Sequence, residues 1–129
     1  MAETTIYVCT TCKMPDDPSD LRAGQRLCDI LQNAITVSGA PFRVEGVECL
    51  SVCKRPCTVA FAAAGKWTYV YGDFSPESAP ATLLEGAKLY AETVDGLIPW
   101  KQRPDALKKG VIARLPPSLY PSNLSEPIP

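Results

Sequence analysis

Sulfur is the feature of this chain that most restricts its fold. "YVCTTCK" places Cys9 and Cys12 as a C-x2-C pair, and "VECLSVCKRPCTVAF" places Cys49, Cys53 and Cys57 at a strict spacing of four, some forty residues downstream. Of the six cysteines only Cys28 stands apart from these clusters, and the chain has no histidine. A fold that uses the two clusters together must bring two remote stretches to one place. The N-terminus "MAETTIYVC" has neither the basic segment nor the long apolar run of a secretory signal, and no apolar stretch approaches the roughly 20 residues needed to cross a bilayer. The expectation is a cytoplasmic protein with no membrane partner. In such a reducing setting thiols do not persist as structural disulfides, so six cysteines point to metal or redox chemistry.

The remaining composition mainly excludes. At 129 residues the chain is the size of one ordinary domain, able to remove roughly two thirds of its unfolded surface from water. With 46% hydrophobic and 21% charged residues it has a globular profile rather than a disordered one. Thirteen Lys and Arg against fourteen Asp and Glu give a net charge of −1, without the basic field that neutralising many phosphates requires. Nucleic acid is therefore not an expected partner. A catalytic set is also missing: there is no histidine for acid–base work near neutral pH, no G-x-S-x-G, no P-loop and no dinucleotide fingerprint.

Periodicity gives the order of elements. "TTIYVC" (4–9) is β-branched and aromatic and reads as a strand, followed over 10–20 by an aperiodic loop with two prolines and three aspartates. From Leu21, the apolar positions Leu27, Cys28, Leu31, Ala34 and Ile35 recur at helical spacing, with Asp20 as the expected N-cap and Gly39 and Pro41 as the stop. "FRVEGVEC" (42–49) alternates as a second strand, and residues 57–74 read as two strands around a turn at Gly65-Lys66. A second helix follows, with Ser75 as N-cap, Pro76 in the first turn and Gly96 at its end. The expected class is α/β, in the order β-α-β-β-β-α. A parallel β-α-β unit is right-handed almost without exception, so the first two strands should be parallel, the hairpin should extend their sheet and helices should cover it, which is a thioredoxin-like plan. Residues 1–96 form the expected domain, and 97–129 a Pro-rich C-terminal extension with one short helix over 104–109 and an irregular end.

Cys28 lies on the apolar stripe of the first helix and reads as core packing, since free cysteine is among the most buried residue types. The other two groups both lie where a strand gives way to a loop. Parallel strands of a β-α-β unit finish on the same edge of the sheet, so Cys9 and Cys12 should meet Cys49 and Cys53 in space. Four thiolates from two loops can hold Zn2+ tetrahedrally or a [2Fe–2S] cluster. Zinc sites favour C-x2-C knuckles on both sides and often recruit histidine, so the C-x3-C of Cys49 and Cys53 favours the cluster.

"VCTTCK" and "GVECLSVCKRPCTVAFAAAGKWTYVYGDFSPESA" resemble the thioredoxin-like [2Fe–2S] ferredoxins and the related small iron–sulfur subunit of NADH dehydrogenases over about the first 93 residues. The whole chain, including "GAKLYAETVDG" and "PWKQRPDALKKGVIARLPP", is similar to an uncharacterised bacterial family described as predicted metal-binding proteins. The ferredoxin resemblance implies a cluster held by Cys9, Cys49 and Cys53, with Cys12 as fourth ligand. In the ferredoxins that ligand usually lies further along the loop. It also implies an electron carrier rather than an enzyme, with a reductase and an acceptor as protein partners. Cys57 is open to three readings: a structural thiol, a ligand replacing Cys12, or a group that hydrogen-bonds the cluster and tunes it. Asp16, Asp17, Asp20, Glu45 and Glu48 are candidates for a docking patch or are simply solvated.

Two other functions compete. Cys9 and Cys12 could form the reactive pair of a thiol–disulfide enzyme, with Pro56 bordering the site, but "KMPDDPSD" after Cys12 is not an immediate helix. Alternatively the cysteines could bind zinc without redox activity. Trp67, Tyr69 and Tyr71 alternate along one strand and read as sheet-to-helix packing. Trp100 either clamps the extension onto the domain or lies at a homodimer contact.

Overall fold

The computed structural model describes residues 4–10, 22–48, 57–74 and 79–117. The expected sheet is present. The first strand, β1 (Thr4–Cys9), is followed by helix α1 (Ala23–Ser38), strands β2 (Phe42–Val47), β3 (Val59–Ala62) and β4 (Thr68–Tyr71), and helix α2 (Ala79–Glu92). A 3-10 turn (Trp100–Gln102), a short helix α3 (Asp105–Lys109) and a fifth strand β5 (Val111–Leu115) complete the order. The sheet runs β2-β1-β3-β4-β5, with β1 and β2 parallel and the remaining neighbours antiparallel. Its class is α/β.

Register decides which residues share a face. Ile6 lies between Val44 and Phe61, Val8 between Gly46 and Val59, and Phe61 and Val59 pair with Tyr69 and Tyr71. Most of this set is fully buried: Ile6, Val8, Val59, Phe61, Tyr69 and Tyr71 are all 0% exposed. Both helices cover this face. A Cβ on Gly86 of α2 would meet the Phe61 ring and Leu107, and one on Gly46 would meet the Cys28 sulfur of α1. The core is unusually aromatic: Tyr69 and Tyr71 stack with centroids 5.6 Å apart, and Phe61 meets Tyr71 edge-on at 5.2 Å. Offset and edge-to-face pairs of this kind contribute beyond the apolar area they bury.

Helix α1 begins two residues later than Leu21, with Arg22 at the N-cap position and no side-chain cap hydrogen bond. Asp20, the expected cap, lies outside the described residues, as do Ser75 and Pro76. Backbone N–H groups at a helix start can be satisfied by water, and so a charged capping residue is not obligatory. The other end follows expectation: Gly39 adopts φ 69° and its N–H returns to the Ile35 carbonyl at 2.9 Å, a left-handed stop that glycine makes without strain. Gly65 likewise takes φ 75° in the hairpin turn.

The extension differs from its sequence reading beyond Lys109. The short helix is present, and Val111–Leu115, where no element was expected, forms a strand on the outer edge of β4; the end expected to be irregular lies outside the described residues. A strap before it, residues 96–103, crosses the buried tyrosines. The Tyr69 hydroxyl accepts from the Ile98 N–H at 3.2 Å and from the Arg103 guanidinium at 3.1 Å, while Arg103 Nε donates to the Ile98 carbonyl at 3.0 Å.

Candidate metal centre

The rim at the C-terminal ends of β1 and β2 gathers the described parts of both cysteine clusters. In-register parallel pairing runs from Thr4↔Phe42 to Cys9↔Val47, so the two strands stop together. At that point the chain is pinned twice by one residue: the Thr10 N–H donates to the Val47 carbonyl at 2.8 Å and its hydroxyl donates to the same oxygen at 3.0 Å. The Cys9 sulfur, 2% exposed, points across the strand gap to the Glu48 carbonyl at 3.8 Å. Glu48 immediately precedes Cys49.

The third strand enters at the same rim. The Cys9 N–H donates to the Thr58 carbonyl at 3.0 Å, next to Cys57. Cys57 is fully buried in the core, and its own N–H donates to the Phe74 carbonyl at 3.0 Å. Thus the segment that leaves β2 at Glu48 and returns at Cys57 has both of its ends beside Cys9.

Cys28 is core, as expected: a free thiol 2% exposed beside Leu27 and Leu31. Burial pushes its pKa up, and the neighbouring Asp29 carboxylate adds to the shift, so the reactive thiolate form is disfavoured. It also lies close under the rim. A Cβ on Gly46 would be 3.3 Å from the Cys28 sulfur and 2.7 Å from the Thr10 methyl. Glycine at 46 is what allows α1 and the turn after Cys9 to close on the end of β2.

Cys12, Cys49 and Cys53 lie outside the described residues, as does Pro56. Among the described residues no three His, Cys, Asp or Glu side chains gather in a way that could hold a metal ion. Of the proposed acidic patch, Glu45 and Glu48 are described; Glu45 accepts an ion pair from Arg43 at 2.7 Å on the outer strand β2. Two residues that shape the rim were not singled out in the sequence. Thr10 carries no signal, being one polar residue at the start of a polar loop. Gly46 does carry one, because an isolated glycine inside a strand marks a close approach of another group.

The family model described as "Protein of unknown function (DUF1636)" matches residues 6–117. The chain belongs to this DUF1636 family. No curated protein matches it. Two solved structures share the DUF1636 chain's fold. One is a thioredoxin-like [2Fe–2S] ferredoxin from Aquifex aeolicus, with TM-score 0.57 and 16% identity over 93% of this chain and 100% of that one. The other is described as the wild-type thioredoxin-like [2Fe–2S] ferredoxin from the same organism at 1.5 Å resolution, with TM-score 0.54 and 13% identity over 88% and 99% of the two chains. At such identity the likeness establishes a common fold for this DUF1636 member. Among the described residues no helix is long and apolar enough to cross a membrane.

Proposed function

We propose that the protein is a one-electron carrier that holds a [2Fe–2S] cluster through Cys9, Cys12, Cys49 and Cys53 and exchanges electrons with protein partners. The observation that carries this reading is the position of Cys9, whose sulfur lies 3.8 Å from the carbonyl of the residue preceding Cys49. Chain connectivity supports the rest. Consecutive Cα atoms are 3.8 Å apart, so Cys12 cannot lie more than roughly 8 Å from Thr10, and Cys49 is one such step from Glu48. Cys53 is four residues from Cys57, within the same segment. The donor set fits the group, because soft thiolates suit iron–sulfur clusters and the chain offers no imidazole to compete.

A bound [2Fe–2S] cluster would take up and release single electrons without substrate chemistry. The chain's own part is to present thiolates from a rigid sheet end and to exclude water behind them. Cys57, buried beneath the rim, serves in this reading as a structural thiol that closes the core there, and its serine variant should retain the cluster. The thiol–disulfide reading is weakened by the start of α1 at Ala23. That lies eleven residues past Cys12, whereas a reactive C-x-x-C cysteine gains its low pKa from a helix N-terminus beside it.

Anaerobic purification followed by a visible spectrum and by iron, zinc and acid-labile sulfide analysis tests the proposal. A red-brown protein with iron and sulfide in equal amounts is expected. A colourless protein with zinc would establish metal binding without redox activity, and a colourless metal-free protein with a reducible Cys9–Cys12 disulfide would establish the thiol–disulfide enzyme.

A further inference from the structure

Charge is distributed unevenly along the chain. Residues 97–117 carry five cations, Lys101, Arg103, Lys108, Lys109 and Arg114, against the single carboxylate Asp105; the rest of the chain carries eight cations and thirteen carboxylates. In the fold two of these cations lie over an exposed aromatic ring. Trp100 is 59% exposed, with the Arg103 guanidinium 5.3 Å and the Lys108 ammonium 5.6 Å from its centroid. Arg114 lies 4.9 Å from the half-buried Trp67 ring on the same helix-covered side. Among the described residues, no ion pair neutralises Lys101, Lys108, Lys109 or Arg114.

The strap that carries the ring is tied to the core. Arg103 ties the strap to the buried Tyr69 hydroxyl and to the Ile98 carbonyl, and the 3-10 turn closes through the Arg103 N–H to the Trp100 carbonyl at 3.2 Å. An exposed aromatic flanked by arginine and lysine on an anchored strap is the composition of a binding hot spot, and the anchored backbone lowers the ordering cost of binding. The α3 end of the patch lies toward the candidate centre's edge of the sheet. Helix α3 runs into β5 at Gly110, whose carbonyl accepts from the Gly72 N–H at 2.9 Å. Val111 pairs with Tyr71, Tyr71 with Val59 and Val59 with Val8, the residue before Cys9. Three strand spacings, roughly 14 Å, separate the start of β5 from the cysteine rim.

We propose that the Trp100 face, with Lys101, Arg103, Lys108 and Lys109, docks an acidic protein surface, and that its occupant is a partner in the electron exchange. The second clause rests on the carrier reading above; the docking itself does not. Charge complementarity selects the occupant. A long polyanion such as DNA would be repelled by the thirteen carboxylates elsewhere, and a handful of phosphate contacts gives only weak, salt-sensitive binding. A membrane surface needs a broad apolar face to insert, whereas here Leu107, the apolar residue of α3, is fully buried.

Two-dimensional NMR of the 15N-labelled full-length protein tests this with a short synthetic Glu- and Asp-rich peptide as probe. The expected result is movement of the Trp100 indole and of the Arg103 and Lys108 amides. Affinity should weaken about fivefold or more between low and physiological salt, and about tenfold in W100A or in the double variant K101E/K109E. Lys101 and Lys109 are exposed, so their reversal leaves the fold intact, as the undisturbed remainder of the spectrum will report. Absence of binding, or shifts centred elsewhere, overturns the proposal. So does tighter binding to duplex DNA or to anionic phospholipid vesicles, and so does movement of the same resonances on protein concentration alone, which would mark a second copy as the occupant. The titration reads the surface whether or not a cluster is bound, so its failure and failure of the carrier reading are separately visible.

Discussion

The two ends of the sheet are stabilised by different means. Around β3 and β4, closed rings of Phe61, Tyr69, Tyr71 and Tyr90 fill the space under α2 at zero exposure, and this half is held by its own packing. At the other end β2 contains no fully buried residue. What fixes the rim there is a small number of directed contacts: two hydrogen bonds from Thr10 to one carbonyl, a glycine that admits a thiol and a methyl, and the cysteines themselves. The contrast teaches that the aromatic half is fixed by packed volume, whereas the rim is fixed by a few directed contacts laid over the buried Val8, Cys28 and Cys57.

That contrast can be broken at several points. Phe61→Ala should have the largest effect, about 3–5 kcal/mol of lost stability by urea unfolding, because it empties the centre of the aromatic half. Gly46→Ala should cost about 1–3 kcal/mol by overpacking, and here the partner can be named. Adding Thr10→Ser removes the methyl 2.7 Å from the new carbon while keeping the hydroxyl bond, and it should recover part of the loss in a double-mutant cycle. No recovery would mean that Cys28, not Thr10, sets the limit.

Alkaline titration isolates the aromatic half. Burial pushes the Tyr90 phenol up from its ordinary value of 10 to about 12, and burial moves Tyr71 upward as well. The folded state therefore holds its phenol protons after the unfolded chain has begun to lose them. Stability should be unaffected by these groups below about pH 10 and should fall as pH rises toward 12, because the folded state then binds more protons than the unfolded one. Tyr90→Phe should flatten that fall, at a cost near 1 kcal/mol at neutral pH for the lost hydrogen bond to the Trp67 carbonyl. Thr10→Val should be the mildest change, about 0.5–1.5 kcal/mol, since the backbone N–H still reaches Val47. Its clearer signature should be at the rim, as faster loss of bound metal to a chelator than from the parent protein.

Much of this was legible in the sequence because it follows from periodicity and handedness. The alternation over 42–47, the glycine turn at 65 and the helical stripe through Leu27, Cys28 and Leu31 gave the elements. The parallel β-α-β rule gave a common edge for the first two strands. β5 was hidden for a physical reason: an edge strand with residues mostly open to water needs no apolar alternation, and "VIARL" stands between a lysine pair and two prolines. Helix α1 starts at an arginine without a side-chain cap, so no capping signature marks its first turn. The Thr10 clamp depends on a neighbour thirty-seven residues away, which no local pattern encodes. Cys9 was placed at the strand end by its position in "TTIYVC", whereas Cys57 was open to three readings and its burial in the core comes only with three-dimensional packing.

Single serine substitutions across both segments test most directly whether sulfurs remote in the chain serve one inorganic centre. Cys9→Ser and Cys53→Ser, purified anaerobically, should each lose iron and sulfide together, whereas Cys28→Ser and Cys57→Ser should retain both. If either segment can lose its cysteines while the metal and sulfide content stays at the parent level, the two stretches do not share a centre, and a [2Fe–2S] carrier built across this rim is contradicted.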